Sequence, residues 1–381
     1  MKKIEIYIHI PFCVRKCHYC DFLSGVSDHR TRSQYVDALC QEIIDSKERL
    51  KDYLVTSVFF GGGTPSMLTK EEITQIMSAL KEVALFTEDC EITIECNPGA
   101  IEPDLFMTYK AIGINRISFG LQSTNDKELQ LLGRIHTYQQ FLENYEFARK
   151  IGFDNINIDL MSALPKQTLE QYEETVRKVV ALQPEHISAY SLIIEDGTPF
   201  GFIYGENGTR QNELPSVEVD RLMYERTKEI LLENGYERYE ISNYAKCGFE
   251  CRHNVGYWQR VEYLGFGLGA ASLYKGQRFH NEKDMKTYLS CIEQGETVWR
   301  EIETQTKNSA IEEYMFLGLR MCSGISISNF EQLFGVSMME VYGQKINRFI
   351  QEKVLERDGD LLRLTEYGLD VSNAVFAEFL L

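Results

Sequence analysis

The stretch Tyr7-Ile8-His9-Ile10-Pro11-Phe12-Cys13-Val14-Arg15-Lys16-Cys17-His18-Tyr19-Cys20 decides how the rest of the chain is read. Ile4, Ile6, Ile8 and Ile10 alternate with Glu5, Tyr7 and His9. That period of two predicts a strand with one wholly aliphatic face. The strand runs straight into a loop with its cysteines in C-x3-C-x2-C spacing. Thiolates that close in sequence converge on one point. Three of them hold three corners of a metal centre and leave the fourth open. On a four-iron cubane, one iron is then free to take a small molecule. A zinc site with His18 or His9 as fourth ligand draws on the same residues, as does a structural pair with a spare thiol.

Downstream, strands alternate with helices. A helix is expected over 33–50, then the strand Ser57-Val58-Phe59-Phe60, which runs into Gly61-Gly62-Gly63-Thr64-Pro65. Thr69 and Glu72 are spaced as a capping box and open the next helix. Further strands are read at Glu91–Glu95, Arg116–Gly120, Asn155–Leu160 and His186–Leu192, with helices between them. Such an alternation implies parallel βα units with right-handed crossovers. Six units predict an incomplete barrel, an α/β fold of (β/α)6 type, rather than an open dinucleotide sheet. In βα barrels the functional groups sit at the C-terminal strand ends. Here those ends carry the cysteine loop, the glycine run, Glu95, Gln122 and Asp159.

After the sixth strand the pattern changes. Residues 195–213 are polar and Gly-rich and read as a loop or lid, followed by a helix over 216–234. From about residue 307 the chain reads as helices and then a hairpin around Asp358-Gly359, a winged-helix-like pattern. The expected division is a partial barrel over 1–200, an extension over 201–300 and a C-terminal winged-helix-like domain over 301–381. The last segment is rich in Glu and Asp, so packing or partner docking suits it better than DNA binding.

The bulk numbers bound the function. The chain has 381 residues, 44% hydrophobic and 25% charged, as for an ordinary globular protein. Its net charge of −17 repels nucleic acid and anionic membrane; nucleic acid is not expected as a partner, and membrane association is expected only through a partner. The start Met1-Lys2-Lys3-Ile4-Glu5 has no secretory pattern. No apolar run approaches the roughly 18 residues that span a bilayer. The expectation is a reducing cytoplasm, where the 10 cysteines bind metal or pack in cores.

Two further motifs carry chemistry. Glycines in Gly61–Gly63 let the backbone approach a ligand closely, though the run is neither a P-loop nor a G-x-G-x-x-G fingerprint. The run His253-Asn254-x-x-Tyr257-Trp258 offers an imidazole beside flat aromatic surface. It reads either as a hydrogen-bonded histidine in a turn or as a haem ligand with a macrocycle platform. Cys247 and Cys251 add only two thiols and read as structural.

The cysteine loop resembles the cluster loop of radical S-adenosylmethionine (SAM) enzymes. Further matches are Gly61–Pro65, Ile94-Glu95-x-Asn97-Pro98, Leu121-Gln122-Ser123, Asp159-Leu160 with Leu164-Pro165-Lys166-Gln167-Thr168, and His253–Trp258. Together they resemble the oxygen-independent coproporphyrinogen oxidase group over essentially the whole chain, with most likeness to its haem-chaperone branch, HemW. The resemblance implies a radical SAM barrel and three cofactors: a 4Fe-4S cluster, SAM and haem. Its implied cluster ligands are Cys13, Cys17 and Cys20. Its implied SAM contacts are Tyr7, Tyr19, Gly62, Gly63, Thr64, Glu95, Gln122, Arg134 and Asp159. His253 is the implied haem-side residue. The implied function is a haem chaperone that transfers haem to an acceptor protein; the alternative is a radical SAM enzyme acting on a porphyrin. Phe22 stands where the true oxidases carry a fourth cysteine, and their long segment before the cluster loop has no counterpart ahead of Cys13. Both departures argue against coproporphyrinogen decarboxylation. Met161-Ser162-Ala163 and Ala271 depart from the chaperone branch, where a Tyr-Gly pair and a histidine are usual.

Overall fold

The computed structural model describes residues 1–381, apart from the side chains of Ala100 and Pro103. Six strands form its centre: β1 (Lys2–Ile10), β2 (Tyr53–Gly62), β3 (Leu85–Cys96), β4 (Arg116–Gln122), β5 (Ile156–Ser162) and β6 (His186–Ser191). They lie side by side in chain order, and each neighbouring pair is parallel. Helices connect them, among them His29–Asp45, Lys70–Val83, Tyr138–Ile151 and Leu169–Ala181. The capping box at Thr69 and Glu72 forms as the sequence predicts. The first helix begins four residues earlier than expected, because the Asp28 side chain accepts from Thr31 N at 2.7 Å.

A parallel sheet is covered on both faces. Ile4, Ile6, Ile8 and Ile10 are fully buried in one core with Tyr35, Leu39 and Ile43 of the first helix. Each such side chain contributes roughly 2 kcal/mol by burial. The same alternation places Ile117 and Phe119 of β4, and Ile156 and Ile158 of β5, in that core. The opposite face of these strands is polar, and it encloses the site.

Later strands extend this sheet at both ends. They are β7 (Glu237–Arg238), β8 (Asn243–Ala245), β9 (Tyr263–Phe266), β10 (Ala271–Tyr274), β11 (Gln277–Asn281) and β12 (Trp299–Thr304). β8 and then β7 add beyond β6, antiparallel. β9 adds beside β1 in parallel and carries β10 to β12 with it. The result is one sheet of twelve strands with β12 and β7 at its ends, so the barrel does not close.

Residues 195–213 are not all loop, as expected from their composition. They contain a short helix, Pro199–Tyr204, with Thr198 as N-cap and Pro199 at its first position. Phe200 and Tyr204 bury against Leu132, Met161 and Leu164. The Phe200 amide donates to the His18 carbonyl at 2.9 Å, which ties this helix to the cysteine loop.

The C-terminal part builds its own core from Ile311, Met315, Phe330, Tyr342, Leu362 and neighbours. Three helices, Lys307–Gly318, Ile327–Phe334 and Met338–Gln351, pack with a small sheet. Its strands are β13 (Ile325–Ser326), β14 (Leu355–Asp358) and β15 (Leu361–Leu364), in the order β13-β15-β14. The hairpin turns through Gly359, whose φ of 58° favours glycine. Among the described residues no helix is long and apolar enough to cross a membrane.

Candidate functional site

The polar face of the six strands lines a cavity of about 550 Å³. All thirteen residues singled out from the sequence border it: Cys13, Cys17 and Cys20, Tyr7 and Tyr19, Gly62 to Thr64, Glu95, Gln122, Arg134, Asp159 and His253. β1 to β5 deliver Tyr7, Gly62, Glu95, Gln122 and Asp159 from the middle or C-terminal end of each strand, the segments that follow β1, β2 and β4 supply most of the others, and a later helix supplies His253.

The cysteine loop is fixed at both ends. Cys13 N donates to Gly25 O and Gly25 N to Pro11 O, each at 2.9 Å. Arg15 donates to the carbonyls of Gly133 and Arg134 from across the mouth. The thiols have polar neighbours: Thr64 Oγ1 lies 3.5 Å from Cys13 Sγ, and Arg134 Nη1 lies 3.6 Å from Cys17 Sγ. Among the described residues no three metal-ligating side chains converge on one metal position; the thiols share a wall rather than a closed cage. The zinc alternative finds neither histidine bordering the cavity that the three thiols line. His9 is held between Tyr7 Oη at 3.1 Å and the Leu23 carbonyl at 2.8 Å, and His18 Nδ1 is bonded to Leu131 O at 2.9 Å.

The glycine run is built for close approach. Gly62 has φ 112°, and a Cβ there would stand 2.6 Å from the His9 ring. At Gly63 a Cβ would stand 2.7 Å from the Phe12 carbonyl, backbone that cannot step aside. Gly63→Ala is therefore expected to displace the cysteine loop and cost about 1–3 kcal/mol of stability, read as a lowered denaturation midpoint. Unchanged stability would show that the loop accommodates the methyl group.

Glu95 Oε2 accepts from Gly62 N at 3.2 Å. Burial, and then the nearby Asp159, pushes its carboxyl up to about 8. A carboxyl so placed gains from a cationic ligand, which would restore its charge. Asp159 accepts from Asn157 Nδ2 at 2.7 Å, and burial raises it also. Gln122 sits at φ 71° and accepts from Tyr190 Oη at 3.0 Å. Arg134 bonds the Gly120 carbonyl through Nη2, while its Nε is buried without a partner. An orphaned donor beside a buried carboxyl fits a zwitterion such as the methionyl end of SAM.

His253 lies at the other end of the cavity, on the helix Arg252–Trp258. Glu91 receives the start of that helix, accepting from Arg252 N at 3.2 Å and His253 N at 3.3 Å. The imidazole is 1% exposed and stacks on Phe59 at 5.2 Å. Its Nδ1 is bonded to Ser57 Oγ at 2.8 Å and its Nε2 to Tyr257 Oη at 3.0 Å. Burial, with the Arg116 charge, lowers its pKa to about 3. Both nitrogens are thus occupied, and His253 reaches an iron only if Tyr257 or Ser57 releases it. Cys251 is buried and donates to Glu91, whereas Cys247 is exposed, so the two thiols share no site. Ala163, where the resemblance expects glycine, has φ 57°, a region that costs a non-glycine residue about 1–2 kcal/mol.

Sequence reasoning missed the floor of the cavity: Arg116, Ser118, Asn157, Ser188 and Tyr190. The available signal was the alternation within β4 to β6, where most alternate residues are polar.

The open parallel barrel and its three-thiol loop define a radical SAM protein, and the sequence model of the Radical SAM superfamily matches residues 7–179. A second model, the HemN C-terminal domain, matches residues 305–371. Among characterised relatives, the heme chaperone HemW of Lactococcus lactis is 37% identical, covering 100% of this chain and 98% of its own. The heme chaperone HemW of Bacillus subtilis is 35% identical over 98% of both, and that of Escherichia coli 32% identical over 99% and 98%. The chain belongs to the HemW family. Among solved structures it resembles the coproporphyrinogen III oxidase HemN of Escherichia coli, a radical SAM enzyme, with TM-score 0.88 and 25% identity over 100% of this chain and 90% of that one.

Proposed function

We propose that this chain is a haem chaperone: it binds haem and a SAM-liganded 4Fe-4S cluster, and passes haem to an acceptor protein. The observation that carries the reading is the single cavity. It gathers three thiols, a glycine cradle, buried carboxyls and an arginine with a free donor, in a chain that aligns end to end with heme chaperones. Cys13, Cys17 and Cys20 would hold the cluster, and Thr64 and Arg134 would offset its negative charge through their bonds to sulfur. When bound, such a cluster supplies an open iron for the amino and carboxylate groups of SAM and an electron for reductive cleavage. Glu95 and Gly62 would face the ammonium, Arg134 and Gln122 the carboxylate and polar edges, and Asp159 the hydroxyls. Tyr7 and Tyr19 would wall the site. Phe22 and Ile193, 62% and 69% exposed at the cavity mouth, offer apolar surface to a macrocycle. Residues 1–200 would carry cluster and SAM, residues 201–300 the His253 wall, and residues 301–381 would serve docking.

The second reading is a radical SAM enzyme acting on a porphyrin, favoured by the likeness to the coproporphyrinogen III oxidase of Escherichia coli. Anaerobic turnover with SAM, reductant and coproporphyrinogen III separates the two. After the quenched assay is oxidised in air and its porphyrins are separated, no protoporphyrin from protein with a verified cluster supports the chaperone; protoporphyrin in step with 5′-deoxyadenosine overturns it. Haem titration tests His253. If His253 ligates iron, His253→Ala weakens Soret binding. Tyr257→Phe, by freeing Nε2 from a hydrogen bond of about 1 kcal/mol, then strengthens it about fivefold. Unchanged titrations in both variants would remove His253 from haem binding.

A further inference from the structure

The mechanism above leaves one charged group at the cavity floor unused. Arg116 opens β4 on the same face as Ser118, Gly120 and Gln122 and lines the cavity. It is 2% exposed, and its Nε has no hydrogen-bond partner. Among the described residues no ion pair holds the guanidinium, though Glu91 and Asp159 are near enough to be felt electrostatically. A buried guanidinium without a partner is costly to the fold. Its neighbour is also prepared to donate: Ser118 Oγ accepts from Asn157 Nδ2 at 2.8 Å, which leaves its own proton free.

We infer that Arg116 and Ser118 form a carboxylate-binding floor at the end of the cavity remote from the thiol loop. A guanidinium presents a planar fork that matches a carboxylate in two parallel hydrogen bonds. Two carboxylates are available in chemistry of this kind: the methionyl carboxylate of SAM and the propionates of a tetrapyrrole. Position favours the propionate. Arg134 already stands beside Cys17, bonded to Gly120, and Gly120 is four residues along β4 from Arg116. At about 3.3 Å per residue the two strand positions are roughly 13 Å apart. The identity of the ligand rests on the chaperone reading; the carboxylate floor does not.

The test is anaerobic titration of cluster-loaded wild type, Arg116→Gln and Arg116→Lys with haem and haem dimethyl ester, followed at the Soret band, and with SAM by calorimetry. A hydrogen-bonded charge is expected to be worth about tenfold or more in affinity. Wild type should therefore prefer haem over its diester by that factor. Arg116→Gln should lose the preference, Arg116→Lys should keep part of it, and SAM affinity should not move. If instead the diester binds as well as haem and Arg116→Gln weakens SAM, the floor stands but serves SAM. If a folded Arg116→Gln binds both ligands like wild type, the floor is overturned, and Arg116 serves only to balance Glu91 and Asp159. Should neither variant fold, the acid and ester comparison on wild type decides alone, equal affinity counting against the floor. If wild type takes up no haem, the chaperone reading fails while the SAM arm still judges Arg116.

Discussion

Cys17→Ala is expected to lose its iron and sulfide on anaerobic reconstitution, whereas Cys247→Ala keeps both at wild-type level. The chain has ten cysteines, and five besides Cys13 are buried in the fold: Cys40, Cys90, Cys96, Cys251 and Cys291. None of these except Cys96 borders the cavity. Cys96 is fully buried, its thiol directed to the Ile94 carbonyl at 3.9 Å. Cys247 is exposed and Cys322 half-buried, and neither borders the site. No spare thiol can therefore replace Cys17 without the loop rearranging. Groups that only support a ligand are commonly worth 10- to 100-fold in metal affinity, so loss of a direct ligand is expected to exceed about a hundredfold. Iron and acid-labile sulfide per chain are the readouts. A Cys17→Ala protein that still takes up both to the wild-type level would dismiss the three-thiol cluster, and with it the SAM site built against it.

Much of this was legible because β strands write their two faces into alternate residues. The isoleucines of β1 announce the helix-covered face at once. The strand-end rule then collects Cys13, Gly62, Glu95, Gln122 and Asp159 at one rim, and the structure brings them to one cavity. What could not be read are relations with no local signature. β9 pairs with β1 across more than 250 residues of chain, Tyr7 lying opposite Gly265. Nothing in Tyr263–Phe266 marks it as a neighbour of the first strand. The floor was hidden for a different reason. Arg116 stands at the first residue of its strand, where a charged residue ordinarily marks a boundary in water. Only the folded chain shows that Arg116 is buried, near enough to Cys251 and His253 to be felt electrostatically. The short helix Pro199–Tyr204 was hidden by its composition, since Gly201 and Gly205 outweighed the Thr198-Pro199 start. His253 shows a limit of motif reading: its position in the cavity wall follows from the sequence pattern, but its two hydrogen bonds do not.

Glu5→Gln is expected to stabilise the protein by several kcal/mol at pH 8 and by almost nothing at pH 5. Glu5 lies on the polar face of β1, 3% exposed, with Oε2 lacking a hydrogen-bond partner. Its carboxyl packs against Gly256, where even a Cβ would collide with it, so it cannot turn towards water. Burial, and then the charge of Glu91, raises its pKa from 4.5 to about 9, against a smaller opposing effect of the Ser57 hydroxyl. His253 Nδ1 stands 3.7 Å away, but it titrates only near pH 3, so at neutral pH two uncharged groups face each other and no ion pair forms. The sign follows from the direction of the shift. Below about pH 4.5 the carboxyl is neutral in both folded and unfolded chains and costs nothing. Between about 4.5 and 9 the unfolded chain ionises and the folded one does not, so stability falls as pH rises, by about 1.4 kcal/mol per pH unit. At pH 7.5 this amounts to an upper bound of about 4 kcal/mol, which glutamine, neutral and nearly isosteric, would recover. Denaturant midpoints of the two proteins between pH 5 and 8.5 give the difference curve, in which the other raised carboxyls, Glu42, Glu95, Glu128 and Asp159, cancel. Parallel curves would mean that Glu5 is ionised in the fold, and that Arg116 and its neighbours supply a countercharge at the base of the cavity after all.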